Sequence, residues 1–249
     1  MAKKMSDSHD ELCLSVVLPG YAEEDNILTA VTACQTALNS LGVSYEIIII
    51  DDASPDRTGE IADELAAAHA EIRVIHNPIN LNVGASILIG YRAARGKLVT
   101  HNAMDLPFDL MDLGLIIPLF DDPALGLVVV SRTDRTAHSV WRKITSLVHY
   151  WMVRTLFWVA LPDMNFVQVC RRSVVNALPV RARSPAFVTP EMIMRVRDSG
   201  YRIAEVSAVF HSRKQGEAKF GRPRDILWTF ADLISYWLER FTHVRGPRQ

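Results

Sequence analysis

A chain of 249 residues, 49% hydrophobic and 22% charged, can bury a full-sized core and fits one domain with a C-terminal extension. Its formal net charge of −1 lacks the basic excess of a general nucleic-acid binder. Three widely spaced cysteines, Cys13, Cys34 and Cys170, form no CxxC pair, which argues against a disulfide framework or zinc knuckle and fits a reducing compartment. The polar start MAKKMSDSHDE has no apolar stretch of a secretory signal, so residues 1–12 are expected to be a flexible N-terminus on a cytoplasmic protein.

Residues 14–18 (LSVVL), stopped by Pro19-Gly20, read as a first strand. Residues 23–41 have helical spacing, with Ile27, Ala30, Val31, Cys34, Leu38 and Leu41 on one face and Gly42 as a stop. The stretch 46–58 (EIIIIDDASPDRT) begins with four isoleucines, the pattern of a strand buried on both faces of a parallel sheet. Strand two is therefore placed at 45–50. Asp51, Asp52, Ser54, Pro55 and Asp56 follow with turn chemistry, and Asp56 or Thr58 can cap the helix predicted over 58–68. A third strand at 72–76, a loop at 77–84, a helix at 85–94, a fourth strand at 98–102 ending in AMDLP, and a fifth at 127–130 delivering Ser131 and Arg132 complete the series. Strands alternating with helices call for an α/β, Rossmann-like, mostly parallel doubly wound sheet. Ligands of such sheets bind beyond the carboxyl ends of the strands, where Asp51 and Asp52 stand; the competing reading is an ordinary strand followed by an Asx turn.

Two later segments have another character. Residues 143–161 are apolar and aromatic, long enough to test as a membrane span, but His149 and Arg154 lie inside and Lys143, Ser146, Tyr150 and Arg154 share one face. Central arginine is costly in a bilayer, so an amphipathic helix lying in the interface is expected. In residues 225–241, Asp225, Asp232, Ser235 and Glu239 form a polar face, and Ile226, Phe230, Leu233, Ile234, Trp237 and Phe241 an apolar one. Trp151, Trp158, Trp228 and Trp237, four of the five tryptophans, lie in these segments and favour a membrane surface. Packing on the protein core or on a second subunit is the alternative, so a homo-oligomer stays open.

Taken in order, VVLPGYAEEDNI, EIIIIDDASPDRT and AMDLP resemble the family 2 glycosyltransferases with the GT-A fold, nearest to the dolichyl- and polyprenyl-phosphate mannose synthases and polyprenyl-phosphate glycosyltransferases. A tail motif supports this: Arg213-Lys214-Gln215-Gly216-Glu217-Ala218-Lys219, preceded by YRIAEV at 201–206. The resemblance covers about residues 14–220 and implies a GT-A domain over 13–220, with residues 221–249 as an amphipathic helix and basic tail.

The resemblance implies an inverting transfer of a hexose from a nucleotide-diphosphate sugar to a polyprenyl phosphate, by an enzyme peripheral to the cytoplasmic membrane face. It places Pro19, Tyr21 and Glu23 in the donor loop, Asp51 at the base, and Arg132, Arg213, Lys219 and, as a fourth, Arg142 on the donor diphosphate and acceptor phosphate. Catalytic positions are Asp105, Arg132, Arg213 and Lys219. Residue chemistry agrees: carboxylates accept from ring N–H and ribose hydroxyls, arginine forks suit phosphate, and a departing diphosphate needs cations where its charge develops. Glu23 can equally be an acidic residue favouring a helix N-terminus. His101 and His211 are read as structural. Asp163 is the candidate base should the acceptor be a sugar hydroxyl.

The family's metal motif is degenerate. Asp105 matches its second aspartate, while Ala103 stands at the first and Pro107 two residues beyond; Ala22 and Ala218 also depart from the pattern. One carboxylate plus substrate phosphates can hold Mg²⁺ or Mn²⁺, so metal use is weakened rather than lost; Asn102 and Asp109 are nearby oxygen donors. The alternatives are a soluble tailoring transferase acting on a small acceptor, and a degenerate domain that binds nucleotide sugars without turnover.

Overall fold

The computed structural model describes residues 12–132, 163–209 and 223–243, so Arg142, the segment 143–161, His211, Arg213 and Lys219 lie outside the described residues. Seven strands form one sheet: β1 (Leu14–Gly20), β2 (Tyr45–Asp51), β3 (Ile72–His76), β4 (Leu98–His101), β5 (Leu125–Arg132), β6 (Gln168–Arg171) and β7 (Arg202–Ala208). Their order is β3-β2-β1-β4-β6-β5-β7, and β6 alone runs against its neighbours β4 and β5. This is the mostly parallel α/β architecture expected. The described helices are α1 (Ile27–Leu41), α2 (Thr58–Ala68), α3 (Val83–Ala93), a short α4 (Leu113–Ile116) between two 3₁₀ turns, α5 (Arg172–Ala177), α6 (Val188–Asp198) and α7 (Pro223–His243).

The isoleucine run organises both layers. Ile48 and Ile50 pack with Leu88 and Tyr91 of α3 and Met192 of α6; Ile47 and Ile49 pack with Ile27, Val31 and Leu38 of α1 and Ala62 and Leu65 of α2. All four isoleucines are fully buried, as alternation across a doubly covered sheet requires. α3 lies tight against β1, because a Cβ on Gly90 would stand 2.3 Å from Val17 Cγ1. Gly42 takes the left-handed conformation (φ +64°) that closes α1.

Strand order reverses at β1, which is parallel to both neighbours: the sheet grows to β2 and β3 on one side and to β4 on the other. A ligand crevice is expected at such a switch point. Pro19 sits at this edge of β1. The Asn102 N–H donates to Val17 O and the Asp52 N–H to Gly20 O, so alternate β1 residues serve opposite neighbours. The position of Pro19 thus faces the β4 side, where pairing has ended at Val17 and its missing donor leaves no gap in the ladder.

Four sequence expectations change. α1 begins at Ile27 rather than residue 23, because residues before it form a turn held by the β2 loop, described below. α3 begins two residues early, since the Asn82 side chain accepts from Gly84 N and Ala85 N and starts it. β4 stops at His101, and β6, α5 and α6 occupy a stretch without an assigned element. The fourth concerns α7. Its expected polar residues Asp232 and Glu239 turn inward: Asp232 accepts from Arg183 N and Ser184 N at 2.9 and 2.8 Å, and Glu239 accepts from Arg195 Nη2 at 2.8 Å. Of its expected apolar residues Leu233 is buried, whereas Ile234 is 51% exposed. An ion pair and backbone hydrogen bonds, not apolar burial alone, seat this helix on the body.

Candidate active site

Among the described residues, four other than glycine have positive φ: Ala22 (52°), Ala53 (57°), Asn82 (76°) and Leu106 (47°). Each lies in the connection after one of the parallel strands β1 to β4, so backbone strain among the described residues collects at one edge of the sheet. Such strain persists only where surrounding contacts enforce it, and it gathers at binding sites.

The enforcing contacts are visible. Ser54 Oγ accepts from Ala22 N at 3.2 Å, Thr58 Oγ1 from Glu23 N at 2.8 Å, and Asp56 Oδ2 from Glu24 N at 3.2 Å. Three successive N–H groups of the β1 loop therefore end on three alternate side chains of the β2 loop. Glu24 returns the contact by accepting from Arg57 N, and Asp56 Oδ1 takes both Thr58 N and Thr58 Oγ1. Asp56 thus supports the start of α2, while Thr58, its first residue, is spent on the neighbouring loop. Tyr21 stands 38% exposed at the tip of this arrangement. The Glu23 carboxylate accepts from Asn26 Nδ2 at 2.7 Å, on the turn leading into α1.

Asp51 and Asp52 are both buried and differ in use. Asp52 accepts from Asn77 Nδ2, Leu81 N and Asn82 N at 2.7 to 2.9 Å, which fixes the β3–α3 connection. Asp51 Oδ1 accepts from Ser54 N and Oδ2 contacts His76 Nδ1, both at 3.0 Å. It stands at the end of β2, one strand from the Pro19 and Tyr21 loop.

On the other side of β1, the β4 connection carries Ala103 and Asp105, both half-buried. Asn102 is fully buried and consumed by Phe108 O and the Ala103 N–H, and Asp109 caps a 3₁₀ turn at Met111 N. Both side-chain groups of Asn102 are thus engaged, whereas Asp109, which is exposed, uses only Oδ1 in its cap. Among the described residues no three of His, Cys, Asp and Glu gather as a metal cage. A single carboxylate such as Asp105 can share a divalent ion with the phosphate oxygens of a bound donor. His101 is buried between Tyr91 OH and the Phe166 backbone; burial lowers its pKa to about 4, so it is neutral and structural.

Arg132, the last residue of β5, meets Asp163 in a two-pronged pair, Nε to Oδ2 at 2.6 Å and Nη2 to Oδ1 at 3.0 Å. Its guanidinium also lies 5.2 Å from the Phe166 ring centroid. The carboxylate read as an alternative base is thus bound to the arginine read as a phosphate ligand, a relation that spacing alone did not reveal. It leaves Asp163 a positioning partner and disfavours it as a base.

The mostly parallel sheet, with strained loops at its switch point, is an α/β domain of the GT-A type. The chain belongs to glycosyl transferase family 2, whose model matches residues 15–175. It is 30% identical over 229 residues to an undecaprenyl-phosphate 4-deoxy-4-formamido-L-arabinose transferase of Pseudomonas paraeruginosa, covering 89% of this chain and 64% of that protein. It is 26% identical over 232 residues to a dodecaprenyl-phosphate galacturonate synthase of Rhizobium johnstonii, covering 92% and 68%. The chain thus spans about two thirds of the length of these relatives. In fold it is similar to the glucosyl-3-phosphoglycerate synthase of Mycobacterium tuberculosis solved with Mn²⁺, uridine diphosphate and glucosyl-3-phosphoglycerate, with a TM-score of 0.64, 23% identity and coverage of 90% and 79%.

Proposed function

We propose that the protein transfers a hexose from a nucleotide-diphosphate sugar to a polyprenyl phosphate at a membrane surface, with inversion at the sugar carbon. The observation that carries the acceptor class is the likeness, over nine-tenths of this chain, to two transferases named for polyprenyl phosphates. The donor class is supported by the loops locked at the switch point, with Asp51 at the nucleoside end and Pro19, Tyr21 and Glu23 as the neighbouring wall.

In this reading Arg132 and, by motif position, Arg142, Arg213 and Lys219 hold the donor diphosphate and the acceptor phosphate, and Asp105 faces the diphosphate. A phosphate monoester has its second pKa near ~6, so the acceptor is largely dianionic at neutral pH and attacks without a protein base. The residues then act by positioning and by stabilising the charge that grows on the leaving diphosphate. A Mg²⁺ or Mn²⁺ ion held by Asp105 with phosphate oxygens would add to that stabilisation.

Membrane contact is supported by α7. Leu227 (69% exposed), Trp228 (42%), Ile234 (51%) and Leu238 (53%) project from the helix, while Asp232 and Glu239 point inward. Among the described residues no helix is long and apolar enough to cross a membrane.

The test is transfer from UDP- and GDP-hexoses to polyprenyl phosphate in vesicles. Radiolabelled sugar in the lipid phase is expected. Transfer only to soluble small acceptors would install the soluble tailoring enzyme instead. Nucleotide-sugar binding without transfer to any acceptor would leave the degenerate domain, for which Ala22, Ala103 and Pro107 speak.

A further inference from the structure

β3 ends in His76, whose imidazole lies between two carboxylates. Nδ1 is 3.0 Å from Asp51 Oδ2 on β2, and Nε2 is 3.0 Å from Asp63 Oδ1 on α2. A neutral imidazole has one N–H and one lone pair, so one of these contacts would set a lone pair against an anion. Both are favourable together only for the imidazolium. Hydrogen bonds to Asp51 and then to Asp63 raise the pKa of the ring, outweighing its partial burial. The backbone makes room for the arrangement: at Gly59, in the first turn of α2, a Cβ would stand 2.9 Å from Asp51 Oδ2 and 3.4 Å from His76 Cε1. The ring side chain is 45% exposed, so protons exchange with it directly.

We propose that His76 is a positioning residue of the donor site, an imidazolium strap that holds Asp51 in the orientation that receives the nucleobase and loosens when deprotonation leaves the ring one N–H for two carboxylates. The inference rests on the donor-site reading above. Ser54 N anchors one oxygen of Asp51 and His76 the other, so the carboxylate cannot swing while both are in place. Because the folded pKa is raised, the strap is complete below the ordinary histidine value and loosens as pH rises through the raised one, its one remaining N–H then shared between the two carboxylates.

The experiment measures dissociation constants of UDP and GDP by calorimetry between about pH 6 and pH 9, with the ring of His76 titrated in parallel by proton NMR. For the nucleotide that binds, His76→Ala is expected to weaken affinity about tenfold at the acid end, the size of one charged hydrogen bond. Wild-type affinity should fall towards that of the variant as the ring loses its proton; the His76→Ala curve corrects for titration of the nucleotide itself. His76→Asn, whose amide can donate to Asp51 but cannot titrate, should restore most of the affinity and leave only the pH dependence seen in His76→Ala. Asp63→Asn should lower the ring pKa. Wild-type binding that is insensitive both to His76→Ala and to pH overturns this inference alone. Failure of wild-type protein to bind either nucleotide overturns the donor-site reading and this inference with it.

Discussion

Arg132 and Asp163 clasp each other through two hydrogen bonds of 2.6 and 3.0 Å, at the two described ends of the chain on either side of residues 133–162. The Arg132 side chain is 23% exposed and that of Asp163 6%, so most of the pair is out of water. Removing one partner leaves the other poorly compensated. Asp163→Ala should therefore lower stability by about 2 kcal/mol, below the range for fully buried pairs because Arg132 keeps some solvent. Thermal unfolding checks the loss. If Arg132 also meets the diphosphate, Arg132→Ala should cut kcat/KM about 100-fold, as removal of a charge-stabilising donor does. Asp163→Ala should reduce it less.

Thr58 spends its hydroxyl on Glu23 N while fully buried. Thr58→Val keeps the shape, deletes the acceptor and leaves the Glu23 N–H without it. A loss of about 1–2 kcal/mol in urea unfolding is expected. The β1 loop should also loosen, raising the donor KM more than it lowers kcat. Thr58→Ser, which keeps the acceptor, should lose less of the loop order.

Much of this edge was legible from the residues. Isoleucines 47 to 50 could only be a doubly covered strand, and the residues of β3 and α2 follow from their periods. The motif Asp-Asp-x-Ser-x-Asp-x-Thr marked a turn, yet spacing could not reveal that Ser54, Asp56 and Thr58 act on the backbone of another loop. Three features escaped for physical reasons. β6 has only four residues, too few for a period. α6 is buried at every residue from Val188 to Val196, so it shows no polar face to set its spacing. α7 shows a polar face, but Asp232 and Glu239 find backbone N–H groups and Arg195 on the body, which reverses the usual inference about what faces water.

Glu46, the first residue of that central stretch, is buried and accepts from Ser15 Oγ, Arg73 Nη1 and Arg95 N at 2.7, 2.8 and 2.6 Å. Burial pushes its pKa up, but these hydrogen bonds and the Arg73 charge outweigh burial and leave it lowered. The carboxylate therefore stabilises the fold above its unfolded value, and this contribution disappears as pH falls through the lowered folded value. Glu46→Gln should destabilise by about 1–3 kcal/mol at neutral pH, with the difference from wild type shrinking in acid. Denaturant unfolding from about pH 7 down to pH 3 provides the comparison.

The metal question separates by order of addition. Asp105 is the remaining motif carboxylate, and no described cluster can hold an ion by itself. Calorimetry with Mg²⁺ or Mn²⁺ alone should show no tight binding, and binding should appear once the nucleotide supplies phosphate oxygens. Asp105→Ala should remove that nucleotide-dependent affinity. Tight binding of the ion to the protein alone would contradict this site.

The outward residues of α7 make the membrane reading measurable. Leu227, Ile234 and Leu238 are more than half exposed, so replacing each with glutamate removes little packing and should change stability by less than about 0.5 kcal/mol apiece. On a bilayer the same side chains would leave water, each worth about 1.5–3 kcal/mol when fully buried. Partial insertion at an interface recovers only part of that, yet the three changes together should lower partitioning into vesicles by at least about tenfold. Co-sedimentation with vesicles measures this, and transfer to a soluble short-chain polyprenyl phosphate should be retained. Equal loss of both activities would place these residues in the acceptor pocket, whereas unchanged sedimentation would remove α7 from the membrane surface.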